Sequence, residues 1–254
     1  MIRGYSWRMV RDVPLVRHKE TVMNAQSSKN SQTLTAAVDV FGDLPPAVAR
    51  DVEAVTLTNV YPAGTVLFAE ADAARGVFVV IRGKVKLSVC GSDGRTLILR
   101  IAGPGEALGA ASAISGRGYE ATAEAQENCE ISFIRNSDLM RLMRIHGELA
   151  FWVTQQLTKD YNSTCREIRN LMLSDSAGEK LARLLVGFLD ENTESKRSGR
   201  LKLTLTHEEI GQMIGTSRET VTRLFAGFKK KHVIEQNGAT VVANRMALES
   251  LISA

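Results

Sequence analysis

The stretch 206-THEEIGQMIGTSRETVTRLFAGFKKK-231 reads as two helices joined by a tight turn. Thr206 opens a capping box: its hydroxyl accepts the Glu209 amide, and the Glu209 carboxylate reaches back to the Thr206 amide. The first helix is expected to run to Met213–Ile214, with Ile210, Met213 and Ile214 on one face. Gly211 lies inside that helix, where glycine costs about 1 kcal/mol relative to alanine. A second helix crossing closely there would account for it. Gly215 suits the left-handed residue that ends a helix, and Ser217 suits the N-cap of the next.

The second helix has two faces. At 100° per residue, Val221, Leu224, Phe225 and Phe228 fall within about 100° of arc. Arg218, Glu219, Thr222 and Arg223 cluster about 140° away by the same geometry. Arginine donates bidentately to guanine O6 and N7, and glutamate accepts from cytosine N4. Base edges are read from the N-terminal part of a recognition helix, where these four residues stand. Lys229, Lys230 and Lys231 follow, suited to phosphates. With the caps Ser217 and Thr206, they make up the expected surface for double-stranded DNA. An ordinary amphipathic pair would also show two faces. It would not require the capping box, the small residue at 211, the turn glycine and the polar face to coincide at this spacing.

EEIGQMIGTSRETVTRLF resembles the helix-turn-helix of the Crp/Fnr family of bacterial transcription regulators. The resemblance extends from about Phe41 to the C-terminus. It implies an N-terminal β-roll sensor, a long dimerisation helix and a C-terminal winged helix. It also implies that Arg218, Glu219 and Arg223 are the base-reading positions, on a palindromic site with TGTGA-like half-sites bound by a homodimer. RNA polymerase is the further partner implied.

Composition agrees with that class. The chain has 254 residues, 44% apolar, with net charge +4 and pI near 9.0. From Lys196 onward ten Lys/Arg stand against five acids, which leaves the remainder near neutral. A basic C-terminal segment is the footprint of a domain that meets nucleic acid. Cys90, Cys129 and Cys165 form neither a disulfide framework nor a zinc spacing. The iron–sulfur members of the family carry cysteines mostly near the N-terminus, and none precedes Cys90 here. His18, His146, His207 and His232 are too scattered to suggest haem. No cofactor and no metal are expected. No apolar run approaches the 18 or so residues of a membrane span, and no secretory h-region is present, so a cytoplasmic location is expected. Without a P-loop, a G-x-S-x-G elbow or an H-E-x-x-H pair, no catalytic residues are assigned and the chain is not read as an enzyme.

The expected fold is α+β, with four parts. Residues 1–35 form a basic N-terminal extension, with six Lys/Arg against two acids. It reads as a loose tail or as an arm touching DNA or the sensor. Residues 36–136 form an antiparallel β-roll, a jelly roll like the cyclic-nucleotide-binding domain. Here a helix from about Leu34, broken at Pro45-Pro46 and resumed to about Leu57, precedes β-branched runs at 65–68, 76–89, 95–102 and 130–134. The runs flanking Arg82-Gly83 read as two strands across a tight turn. Residues 137–173 hold a short helix and a long one, and 174–254 the winged helix-turn-helix.

The sensor departs from the family pattern. Cyclic-AMP-binding members hold the ribose with a glutamate after a glycine and the phosphate with an Arg-Ser pair. Here Gly109 is followed by Ala110, and Tyr119 and Glu120 stand at the Arg-Ser positions. A phosphodiester needs a guanidinium or backbone donors, and a carboxylate at 120 repels it. A pocket lined by Gly109, Ala110, Arg117, Tyr119, Glu120 and Thr122 is therefore not expected to bind cyclic AMP. Two readings stay open: a helix and turn that merely close the roll, or a site for an unknown small effector.

The long helix, from Glu148 to about Leu173, repeats Leu149, Trp152, Val153, Gln156, Leu157, Asp160, Thr164, Ile168 and Leu171 at spacings of three and four. This reads as a parallel dimer seam or as a helix packed inside its own protomer. Cys165 is a candidate thiol switch, with an inert helical cysteine as the alternative. Asp175 or Ser176 caps the next helix, through Leu189. LKLTL (201–205) alternates as a strand, and Asn237-Gly238 marks the wing hairpin. A final helix starts near Met246. A different class, a small-molecule-sensing or interaction module that leaves promoters alone, would make the Arg218 face dispensable.

Overall fold

The computed structural model describes residues 44–174, 176–190, 199–238 and 240–252. The basic extension, the start of the helix expected from Leu34, Asp175 and most of the 191–200 loop lie outside the described residues.

Pro46 occupies the first turn of helix α1 (Pro46–Glu53), where a missing amide costs nothing. The helix stops short of Leu57. Its successor, Thr56–Tyr61, is strand β1, rich in β-branched residues and paired antiparallel with Cys129–Arg135. The strands that follow are β2 (Val66–Phe68), β3 (Gly76–Arg82), β4 (Val85–Cys90), β5 (Thr96–Ala102), β6 (Ala107–Leu108), β7 (Thr122–Ala125) and β8 (Cys129–Arg135). They form two four-stranded sheets, ordered β1-β8-β3-β6 and β2-β7-β4-β5.

The hairpin expected across Arg82-Gly83 does not form. β3 pairs with β8 and β6, and β4 with β5 and β7, so the chain changes sheets there. Gly83 has φ 90°, and a Cβ on it would lie 2.6 Å from Cys129 Sγ. The glycine marks a close crossing over β8, not a two-residue turn.

β3 is buried on both faces from Gly76 to Ile81. Val77 and Val79 meet a helical layer, while Phe78 and Val80 face the roll interior with Phe68, Tyr119 and Ile131. The helical layer is made by α1, α2 (Ala110–Ser115), α3 (Asn136–Ile145) and the N-terminal half of α4 (Gly147–Leu173). His146 is extended, φ −116°, and separates α3 from α4.

Here the expected dimer seam is corrected. Leu149, Trp152 and Val153 belong to the core shared with α1, α3 and β3, and Leu157 packs against it. Gln156 is buried beside them, while Thr164 and Ile168 of the expected set are exposed. The 3–4 repeat of these residues is the repeat of a helix lying on its own roll, which needs the same apolar stripe as a coiled coil.

The C-terminal part consists of α5 (Ala177–Asp190), β9 (Arg200–Lys202), α6 (His207–Ile214), α7 (Arg218–Lys230), β10 (Ile234–Asn237), β11 (Thr240–Ala243) and α8 (Arg245–Ile252). Ser176 caps α5, accepting from the Glu179 amide at 3.1 Å. The wing sheet is ordered β10-β11-β9. Its hairpin turns one residue later than expected. Asn237 pairs with Thr240, so Asn237 ends the strand and Gly238 takes the left-handed φ of 58°. Leu181, Leu185, Ile210, Val221, Phe225, Ile234, Val241 and Leu248 form one core. Ile98 of β5 is buried in it, so the roll and the winged domain share apolar surface.

Candidate nucleic-acid interface

The turn geometry follows the sequence closely. The Thr206 hydroxyl accepts from the Glu209 amide at 3.2 Å, and the Thr206 amide donates to Glu209 Oε2 at 2.9 Å. α6 ends at Gly215, φ 66°. The Ser217 hydroxyl accepts from the Thr220 amide at 3.3 Å and starts α7. Gly211 is where the two helices meet: a Cβ there would lie 2.7 Å from the Thr216 carbonyl oxygen.

α7 buries Val221, Phe225 and Phe228. Its opposite side exposes Arg218, Glu219, Thr222 and Arg223, and Lys229 and Lys230 are exposed at its C-terminal end. Among the described residues neither Arg218 nor Arg223 forms an ion pair; Arg223 Nη2 only reaches the Thr220 hydroxyl at 3.5 Å. The Glu219 carboxyl is held below its usual range, chiefly by its own backbone amide and next by the Ser217 hydroxyl. It is therefore an acceptor at neutral pH, as a cytosine contact requires.

His207, assigned to this module from sequence without a role, touches the reading face. Its Nδ1 lies 2.9 Å from the Thr222 hydroxyl, and its ring is 4.7 Å from that of Phe225. Thr206, His207, Glu208, Arg218 and Thr222 line a cleft of about 420 Å³. The sequence signal that could have marked this histidine is its position, one residue after a cap and fifteen before Thr222.

Of the six residues expected to line an effector pocket, Gly109 and Tyr119 are packed against each other. Tyr119 is buried in the roll, stacked on Phe68 at 4.0 Å, and donates to the Gly76 carbonyl at 2.8 Å. Burial raises its pKa above the phenolic range. Gly109, φ 77°, is glycine because a Cβ would lie 2.5 Å from the Tyr119 ring. Ala110 is buried in the helical layer instead, while Arg117 and Glu120 are exposed. Thr122 accepts from the Glu70 amide at 3.0 Å. Sequence reasoning missed the cluster that does join roll and long helix. Arg100 of β5 bonds Glu106 through Nη1 and Asp160 of α4 through Nη2, the latter at 2.6 Å. Burial raises the Asp160 pKa, Arg100 opposes the rise, and Glu106 and Glu120 add to it.

Two family models match the chain: a cyclic nucleotide-binding domain over residues 58–146 and a Crp-like helix-turn-helix domain over residues 179–251. The cAMP-activated global transcriptional regulator CRP of Haemophilus influenzae is 30% identical over 183 residues, 72% of this chain and 81% of that protein. The cAMP-activated regulator Vfr of Pseudomonas aeruginosa is 24% identical over 186 residues, 72% of this chain and 86% of that protein. Among solved structures, FixK2 from Bradyrhizobium japonicum superimposes with a TM-score of 0.69 at 23% identity, over 79% of this chain and 98% of that one. A CooA mutant from Carboxydothermus hydrogenoformans also gives 0.69, at 20% identity, over 85% of this chain and 95% of that one. At these identities the two structures speak for the fold.

Proposed function

The chain belongs to the Crp/Fnr family of bacterial transcription regulators, and on that premise we propose that it works as a homodimer reading a two-fold-related DNA site with TGTGA-like half-sites. It is a DNA-binding regulator and not an enzyme. The observation that carries the proposal is the exposed polar face of α7, where Arg218 and Arg223 form no ion pair among the described residues. Arg218 and Arg223 stand ready for guanines and Glu219 for a cytosine, each at the N-terminal end of the helix. Two copies would set their recognition helices about 34 Å apart, in successive major grooves.

The dimer surface we propose differs from the one first expected. On α4, Phe151, Thr154, Thr158, Tyr161, Cys165, Ile168 and Met172 are all exposed. They alternate at spacings of three and four, the a/d pattern of a two-stranded coiled coil. Phe151 is 64%, Tyr161 70%, Ile168 56% and Met172 76% exposed. A helix whose other face already rests on the roll has no further need of such residues. A second copy of the same helix supplies the cover.

Cyclic AMP, which activates the Haemophilus influenzae relative by its name, is not the proposed effector here. The position expected to hold the phosphate carries Tyr119, spent on the core, and exposed Glu120. Arg100, which reaches the long helix, is occupied by Glu106 and Asp160. The carboxylates of Glu106 and Asp160 on that guanidinium repel a phosphodiester. RNA polymerase is the proposed protein partner, by family likeness.

Selection from random duplexes with the full chain tests the reading. The expected outcome is a palindrome with TGTGA-like halves. Recovery of no palindrome, with and without cyclic AMP, would overturn it.

A further inference from the structure

His207 sits in the cleft between the start of α6 and the reading face of α7. The Thr222 hydroxyl has a single proton and is 3.0 Å from the Arg218 carbonyl, to which it donates. It therefore accepts from His207, which assigns the proton to Nδ1 from the bonding network. Nε2 is then the nitrogen left for a ligand, and in the neutral ring it is an acceptor.

We infer that His207, from the cleft it lines with Thr206, contacts a DNA backbone phosphate, and that this phosphate is bound with uptake of a proton at His207. The inference rests on the DNA-binding reading of α7. In a helix-turn-helix the first helix crosses the sugar-phosphate backbone, and His207 is the first residue of that helix. A phosphate oxygen can only accept. With Nδ1–H already engaged by Thr222, Nε2 must also carry a proton, and the bound ring is an imidazolium.

Without the phosphate, the cations around the ring oppose that proton. Arg218 and Lys229 face it from α7, and Glu208 lines the same cleft from α6. In the free protein, burial first, then Lys229 and Arg218, hold the His207 pKa below its ordinary value. The free ring is therefore biased toward its neutral form. A phosphate at His207 Nε2 offsets the repulsion of the neighbouring cations and raises the pKa. The sign follows from linkage. A proton taken up on binding strengthens the complex at low pH, and that gain is lost as pH rises through the pKa of the bound state.

The test measures affinity of the full chain for its selected duplex between about pH 6 and 8.5 at constant ionic strength, with linkage setting the expected slope. Wild-type affinity is expected to fall by up to about tenfold per pH unit over part of that range. His207→Gln should remove this component. His207→Arg should bind like wild type at low pH and hold that affinity as pH rises. His146 and His232 are common to all three proteins, so the difference isolates His207. Calorimetry of the wild type in two buffers of unlike ionisation enthalpy reads the proton directly. Identical pH profiles for the three proteins, or a binding heat independent of buffer, would overturn the proton-linked subsite and leave the DNA reading intact. Binding to no duplex at any pH would instead sink the DNA reading, and this subsite with it.

Discussion

The Gln126 side-chain amide, on the roll, donates to Glu209 Oε1 of α6 at 3.3 Å. The other oxygen of the same carboxylate closes the capping box on the Thr206 amide. Lys86 Nζ approaches Glu209 at 4.0 Å from β4. One carboxylate thus starts the first helix of the DNA module and ties that helix to the roll. The two jobs can be separated. Glu209→Ala loses both and should destabilise the winged domain by about 1–2 kcal/mol, the usual worth of a cap plus a partly buried contact. Gln126→Ala leaves the cap and should cost clearly less. Urea unfolding of the two variants decides, and equal losses would show that the cap contributes little.

Gly211 gives a second test. Alanine in a helix interior is favoured over glycine by about 1 kcal/mol, so a propensity argument alone predicts stabilisation. The structure predicts the reverse. The added Cβ would meet the Thr216 carbonyl at 2.7 Å and the Ser217 carbonyl carbon at 3.3 Å, both backbone atoms. Gly211→Ala should push α7 away from α6, lower the unfolding midpoint and weaken DNA binding. A stabilised variant with unchanged affinity would contradict the close crossing.

Base reading and phosphate contact should separate in binding data. Arg218→Ala should cost about 1–3 kcal/mol on the selected site and relax preference at one base pair. Lys230→Ala should weaken all duplexes about equally and flatten the dependence of log affinity on log salt by about one unit. Titrations at several salt concentrations on cognate and scrambled duplexes distinguish the two.

The helix-turn-helix was legible because its signals are local. A capping box, a turn glycine and a cap serine act within a few residues, and each sits where the sequence placed it. The sheets of the roll were less legible. The crossing at Gly83 is set by Cys129, distant in sequence and adjacent in space. Strand β7, TAEA, is short and its pairing with β4 and β2 comes only from the fold. The sensor went furthest astray. Tyr119 aligns with a ligand position, yet it packs on Phe68 and Phe78 in the core. The Arg100–Asp160 bridge spans sixty residues and leaves no pattern at helix or strand spacing.

The long helix gives the last test, because its two stripes make opposite predictions. Leu149, Trp152 and Val153 are buried in the protomer, while Tyr161 and Ile168 stand exposed on the other stripe. Trp152→Ala should open a cavity in the roll and cost about 3–5 kcal/mol of stability. Tyr161→Glu and Ile168→Glu add no buried charge to an isolated protomer, so the monomer fold should survive. Across a two-fold seam each puts two carboxylates face to face in an apolar contact, which disfavours association. Sedimentation equilibrium is expected to find wild-type dimer and mostly monomer for the Tyr161→Glu, Ile168→Glu double variant, with an unchanged far-ultraviolet spectrum. The double variant should also lose affinity for the full palindrome and keep its weak binding to a half-site, since each α7 is untouched. A double variant that remains dimeric would move the subunit contact off this stripe.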